Sequence, residues 1–118
     1  MSESDDKAKS ADAAAAIASA LDRLWAKFLP DIRERVTMLE SAAAAYEANT
    51  LTESQRTDAS SAAHKLAGTL GTFGLTRGTV LARELELMYA EDIGPDAAMG
   101  EKLAQLAAEL KALVEGRK

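Results

Sequence analysis

Apolar residues recur three and four apart through nearly the whole chain. Leu21, Leu24, Trp25 and Phe28 form one set; Ile32, Val36, Leu39, Ala43 and Tyr46 a second; Leu81, Leu85 and Met88 a third; Leu103, Leu106, Leu110 and Leu113 a fourth. That spacing lays each set along one stripe of a helix with 3.6 residues per turn, whereas a half-buried strand would need strict alternation. Alanine, leucine, glutamate and lysine dominate, and the two prolines, Pro30 and Pro95, stand where helices could begin. The chain is expected to be all-α.

Stop and start signals fall between the stripes. Pro30 can open a helix directly after Phe28, "ANT" at 48–50 can close it, and Thr52 with Gln55 has the spacing of a capping box. Gly74 is placed to end the next helix in the left-handed conformation, with Leu75 folding back onto it. Thr76 can cap the helix after that, and Pro95 with Asp96 leads into the last. The expected helices run over about 11–28, 31–48, 53–73, 77–91 and 96–115. Short connections make sequential helices antiparallel neighbours. The expected architecture is an antiparallel up-and-down four-helix bundle with an additional N-terminal helix, one domain over residues 10–118, after a disordered, charged tail over residues 1–9.

Composition excludes several classes of function. With no cysteine the chain has neither a disulfide framework nor a thiolate metal site. Fourteen Lys and Arg against 19 Asp and Glu give a net charge of -5, which repels a phosphate backbone and argues against nucleic acid as a partner. The run "AAAAIASAL" is too short to span a bilayer and breaks at Asp22 and Arg23, so no membrane association and a cytoplasmic location are expected.

The stretch "HKLAGTLGTFG", residues 64–74, places the chain's one histidine at the head of a segment that carries Gly68 and Gly71 inside a helix. Each interior glycine costs about 1 kcal/mol relative to alanine. On a helical wheel with His64 at zero, Ala59, Ala62, Leu66, Leu70 and Phe73 cluster around the opposite side and form the expected core face. Thr57, Ser60, Ser61, Ala67, Gly68 and Gly71 surround His64 within about 60°, and all are small. A histidine on a polar helix face is ordinarily a solvated residue and glycines can serve helix packing, but bare backbone beside an imidazole invites close approach. Because a convex helix face offers no pocket, the expected visitor is a protein.

A neutral imidazole is a competent nucleophile, and phosphoryl transfer depends chiefly on alignment and charge neutralisation that a docked partner can supply with its metal ion. Other chemistry lacks parts. Zinc needs three or four ligands, and a Ser60- or Ser61-based hydrolase lacks an acidic residue on the same helix face, Asp58 lying about 120° away. No phosphate-binding glycine loop is present. These residues point to a carrier without autonomous catalysis, and to no metal site or cofactor of its own.

The segment "AHKLAGTLGTFGL", 63–75, resembles the signature of the histidine-containing phosphotransfer domains of multistep phosphorelays, with His64, Leu66, Gly68, Thr69 and Gly74 at the matching places. The resemblance implies a four-helix bundle with an extra N-terminal helix. It also implies phosphorylation of His64 and transfer to or from an aspartate of a response-regulator receiver domain, which brings Mg²⁺. A hybrid sensor histidine kinase is a further implied partner. Gly68 would let the receiver's loops approach the phosphate, and Ser60, Ser61, Ala67, Gly68 and Gly71 would line the docking face. The family's usual lysine three places after the histidine is Ala67 here; Lys65 lies on the other flank, and Arg77 and Arg83 of the next helix are further candidates for that charge. The alternative is a helical adaptor that binds a receiver or kinase domain through the same face without accepting phosphate.

Overall fold

In the computed structural model, which describes residues 3–92 and 94–117, the chain forms four helices: α1 (Glu3–Glu47), α2 (Glu53–Thr72), α3 (Thr76–Ala90) and α4 (Ala97–Gly116). Local chemistry sets most of their ends. At the start of α2 the Gln55 amide donates to the Thr52 hydroxyl and the Thr52 amide donates to the Gln55 side chain, a complete capping box. At its end Gly74 takes a φ of 74°, the Leu75 amide donates to the Leu70 carbonyl at 2.9 Å and the Gly74 amide to the Gly71 carbonyl at 3.1 Å. This paired closure satisfies carbonyls that the helix leaves open. Asn49, at φ 58°, closes α1 in the same way, with the Thr50 amide donating to the Ala45 carbonyl. Asp96 caps α4 by accepting from the Ala98 and Met99 amides. Thr76 is the first residue of α3 rather than its cap; Leu75 holds the cap position without a side-chain hydrogen bond.

Pro30 lies inside α1 and does not start a helix. Two expected helices, 11–28 and 31–48, are therefore one continuous element, and the additional N-terminal helix is not a separate one. A proline removes one intrahelical hydrogen bond at a cost of about 3 kcal/mol. No glycine or side-chain cap accompanies it in "LWAKFLPDIRERV", so strong helix formers on both sides carry the helix through. Of the expected tail, residues 1 and 2 lie outside the described residues, whereas 3–9 are helical.

Contacts divide the chain into two units, residues 1–30 and 31–118. In the first, Trp25 is buried, whereas Leu24 and Phe28 of the expected stripe are 42% and 41% exposed. The second holds the bundle. Pairing of Ser60 with Glu86 and of Ala67 with Thr79 runs α2 antiparallel to α3; Glu84–Lys102 and Arg77–Glu109 do the same for α3 and α4. Arg33–Glu115 and Glu40–Lys111 close the ring between α1 and α4, so the bundle is up-and-down. The Arg33 guanidinium grips Glu115 through two hydrogen bonds and holds that carboxyl below its ordinary range. Ile32, Leu39, Leu66, Leu70, Leu81, Leu85, Leu103 and Leu110 are fully buried between the helices. Phe73, expected in that core, is only partly buried at the end of α2, with the Arg117 guanidinium 5.4 Å from its ring centre.

Candidate functional site

The capping box and the Gly74 closure fix the rotation of α2 and its position along α3. Ala59, Ala62, Ala63, Leu66, Ala67 and Leu70 are then buried, and the opposite side faces outward. His64 stands on that outer side with its side chain 71% exposed. Thr57, Ser61, Lys65, Gly68 and Gly71 are exposed around it, and Ser60 is partly buried.

Ala67 departs from expectation. It is buried, because α3 packs against that flank of α2 and widens the covered arc; the Thr79 hydroxyl donates to the Ala67 carbonyl at 3.2 Å. Ala67 therefore belongs to the α2–α3 seam and not to an open docking face. The glycines divide accordingly. A Cβ on Gly68 would meet nothing within 4 Å, one on Gly71 would touch the Thr79 hydroxyl at 3.4 Å, and one on Gly78 would lie 2.9 Å from the Leu70 side chain. Gly78 lets α3 close onto α2, whereas Gly68 leaves backbone bare beside the histidine.

The structure adds a residue that the α2 wheel could not contain. Glu86, from α3, places Oε2 2.7 Å from His64 Nδ1. A carboxylate only accepts, so Nδ1 donates, and in the neutral ring the lone pair is then on Nε2. The acid absent from α2 thus comes from its neighbour. The hairpin sets Glu86 beside Ser60, one turn before His64, and the Glu86 side chain leans toward the N-terminus of α3, which is the direction of His64.

This pair is not a hydrolase triad. The Ser60 hydroxyl donates to the Glu86 carbonyl at 3.1 Å instead of reaching the imidazole. The helix face is also less convex than expected, since α2 and α3 enclose an open depression of about 420 Å³ lined by Arg56, Thr57, Ser60, Ser61, His64 and Glu86. Arg56 is already engaged there, donating to the Tyr89 carbonyl at the end of α3. Of the cations considered for the site, Arg77 turns to α4 and pairs with Glu109, while Lys65 and Arg83 are exposed. Among the described residues no group of His, Cys, Asp and Glu could hold a metal ion.

The helices thus present to solvent one imidazole held by Glu86, with bare backbone next to it at Gly68. Residues 23–116 match the Hpt domain family, and the chain belongs to that family, whose members perform histidine phosphotransfer in two-component phosphorelays. Hpt domains are phosphocarriers that work with receiver domains and histidine kinases. The chain is also similar to protein RcaC of Microchaete diplosiphon, 41% identical over 66 residues. That match takes in 56% of this chain and 10% of the relative, so the chain spans only a small part of that protein's length. No solved structure matches the chain. No helix among the described residues is long and apolar enough to cross a membrane.

Proposed function

We propose that His64 accepts a phosphoryl group on Nε2 and exchanges it with the aspartate of a receiver domain. The observation that carries this reading is the 2.7 Å hydrogen bond from Nδ1 to Glu86, which orients a ring otherwise 71% exposed. The Nε2 lone pair attacks the phosphorus of an aspartyl phosphate. A nitrogen–phosphorus bond forms as the phosphorus–oxygen bond to the aspartate breaks, and the electron pair of that bond leaves with the carboxylate. The imidazole gains positive charge while keeping its Nδ1 proton, and the Glu86 carboxylate lies where that charge develops. The reverse sequence passes the group on.

The chain's contribution is position. Gly68, Gly71 and Ser61 leave room for the partner's loops, and the exposed Val80 and Leu87 of α3 extend the same surface with apolar area. Metal chemistry belongs to the receiver, which brings Mg²⁺ to its own aspartate.

The test is to incubate the protein with a phosphorylated receiver domain, and separately with a small phosphodonor. The expected product is acid-labile, alkali-stable label on the wild type and none on His64→Gln, with unchanged helical circular dichroism. Binding of the receiver by a wild type that takes no label would establish the adaptor reading instead.

A further inference from the structure

We propose that Arg83 of α3 supplies the guanidinium that neutralises the phosphoryl group on His64. The inference rests on the reading of His64 as the phosphoryl acceptor. A phosphoryl group brings a charge of about -1.5 to -2 at neutral pH. The fixed charge nearest the ring is the Glu86 carboxylate, of the same sign. The site therefore needs a cation, and Ala67, buried in the α2–α3 seam, cannot be one.

The basic residues around His64 sort by what they already do. Arg56 donates to the Tyr89 carbonyl at 2.7 Å and reaches Glu53, with its side chain 18% exposed. Arg77 is paired with Glu109 on the α4 side of α3. Lys65 lies about 100° round α2 from His64, on the flank away from α3. Arg83 is exposed and makes no hydrogen bond or ion pair with the described residues.

Its position follows from the register between the helices. Ser60 meets Glu86 and Ala67 meets Thr79, so the turn of α3 that carries Arg83 runs beside the turn of α2 that carries His64. Around α3, Arg83 falls about 40° from Thr79 and about 60° from Glu86, the two residues whose side chains meet α2, and on their solvent side. Helical side chains lean toward the N-terminus of their own helix, which carries Arg83 along α2 from the level of residue 63 toward that of Ala67, past His64. On the α3 flank of His64 the helix carries only Ser60, Ala67 and Gly71, all small, so no bulky side chain of α2 stands between Arg83 and the imidazole. A guanidinium fork suits two phosphoryl oxygens at once.

The test follows phosphorylation of the full chain by phosphoramidate, using ³¹P NMR on wild type, Arg83→Ala, Arg83→Lys and Lys65→Ala. Arg83→Ala is expected to take up label about tenfold more slowly, the size of effect of one charge-assisted hydrogen bond. The last ionisation of its phosphohistidine moves to higher pH, since a nearby cation favours the dianion. Arg83→Lys restores most of both, and Lys65→Ala stays within about twofold of wild type, as for an exposed charge without a fixed partner. A merely structural role for Arg83 would not move the ³¹P titration. An Arg83→Ala protein with wild-type rate and titration overturns this inference alone, as does a Lys65→Ala loss as large as that of Arg83→Ala. A wild type that takes no label overturns the His64 reading and this inference with it.

Discussion

On the inner face of α2, Ala59, Ala62, Leu66 and Leu70 are buried, while Thr57, Ser61, His64 and Gly68 on the outer face are exposed. Both faces are built from small or medium residues, yet smallness does different work on each. Inside, alanines let α3 approach until the Thr79 hydroxyl reaches a backbone carbonyl of α2. Outside, the glycines carry no packing at all at Gly68 and almost none at Gly71. The inner face determines whether the helix is present, and the outer face determines what it can receive.

The largest expected effect that would sharpen this contrast is on the inner face. Leu66→Ala removes a side chain with no solvent exposure and should cost about 3 kcal/mol by urea denaturation, as large-to-small core changes do. If it proved neutral, the inner face would not be the core described above.

Next come two glycines that the same substitution should push in opposite directions. Gly68→Ala is expected to stabilise by about 1 kcal/mol, because alanine is the better helix former and its methyl meets nothing. It should also slow exchange with a docked receiver while leaving phosphoramidate labelling unchanged. Gly78→Ala gains the same propensity but drives a methyl to 2.9 Å from a fully buried Leu70, and a net loss of about 1 kcal/mol is expected. Equal signs for the two would erase the distinction between the faces.

The smallest effect concerns Tyr89, which is buried between the helices with a hydroxyl that has no partner among the described residues. Burial, with a lesser contribution from Tyr46, pushes its phenol well above the ordinary range. The folded state therefore holds the phenol neutral, while the unfolded chain releases its proton near pH 10, so stability should fall as pH rises beyond about 10. Tyr89→Phe should remove most of that alkaline loss. At neutral pH it should be neutral or stabilising by up to about 1 kcal/mol, since an unsatisfied hydroxyl disappears. Thermal melts from pH 7 to 11 test both.

What the sequence disclosed was what neighbouring residues determine among themselves. Thr52 with Gln55, Gly74 with Leu75, and Asp96 each act within one turn, and each behaves as its spacing predicts. Pro30 was misleading because a missing amide stops a helix only when other signals agree, and none does. Ala67 and Glu86 depend on where a second helix lies, so the wheel of α2 alone assigned one to the wrong side and could not include the other. The histidine was legible; its orienting carboxylate, which α3 brings in from twenty-two residues away, was not.

The double closure of α2, with a capping box before it and the Gly74 turn behind, also limits which lengths of chain can support the site. A single residue inserted between Gln55 and His64 would have no slack to enter. The imidazole would swing about 100° around the axis, away from its carboxylate, or one of the two closures would have to open. Spare length is tolerable in the link between α3 and α4 and intolerable inside this one helix, which acts as a fixed gauge between two stops.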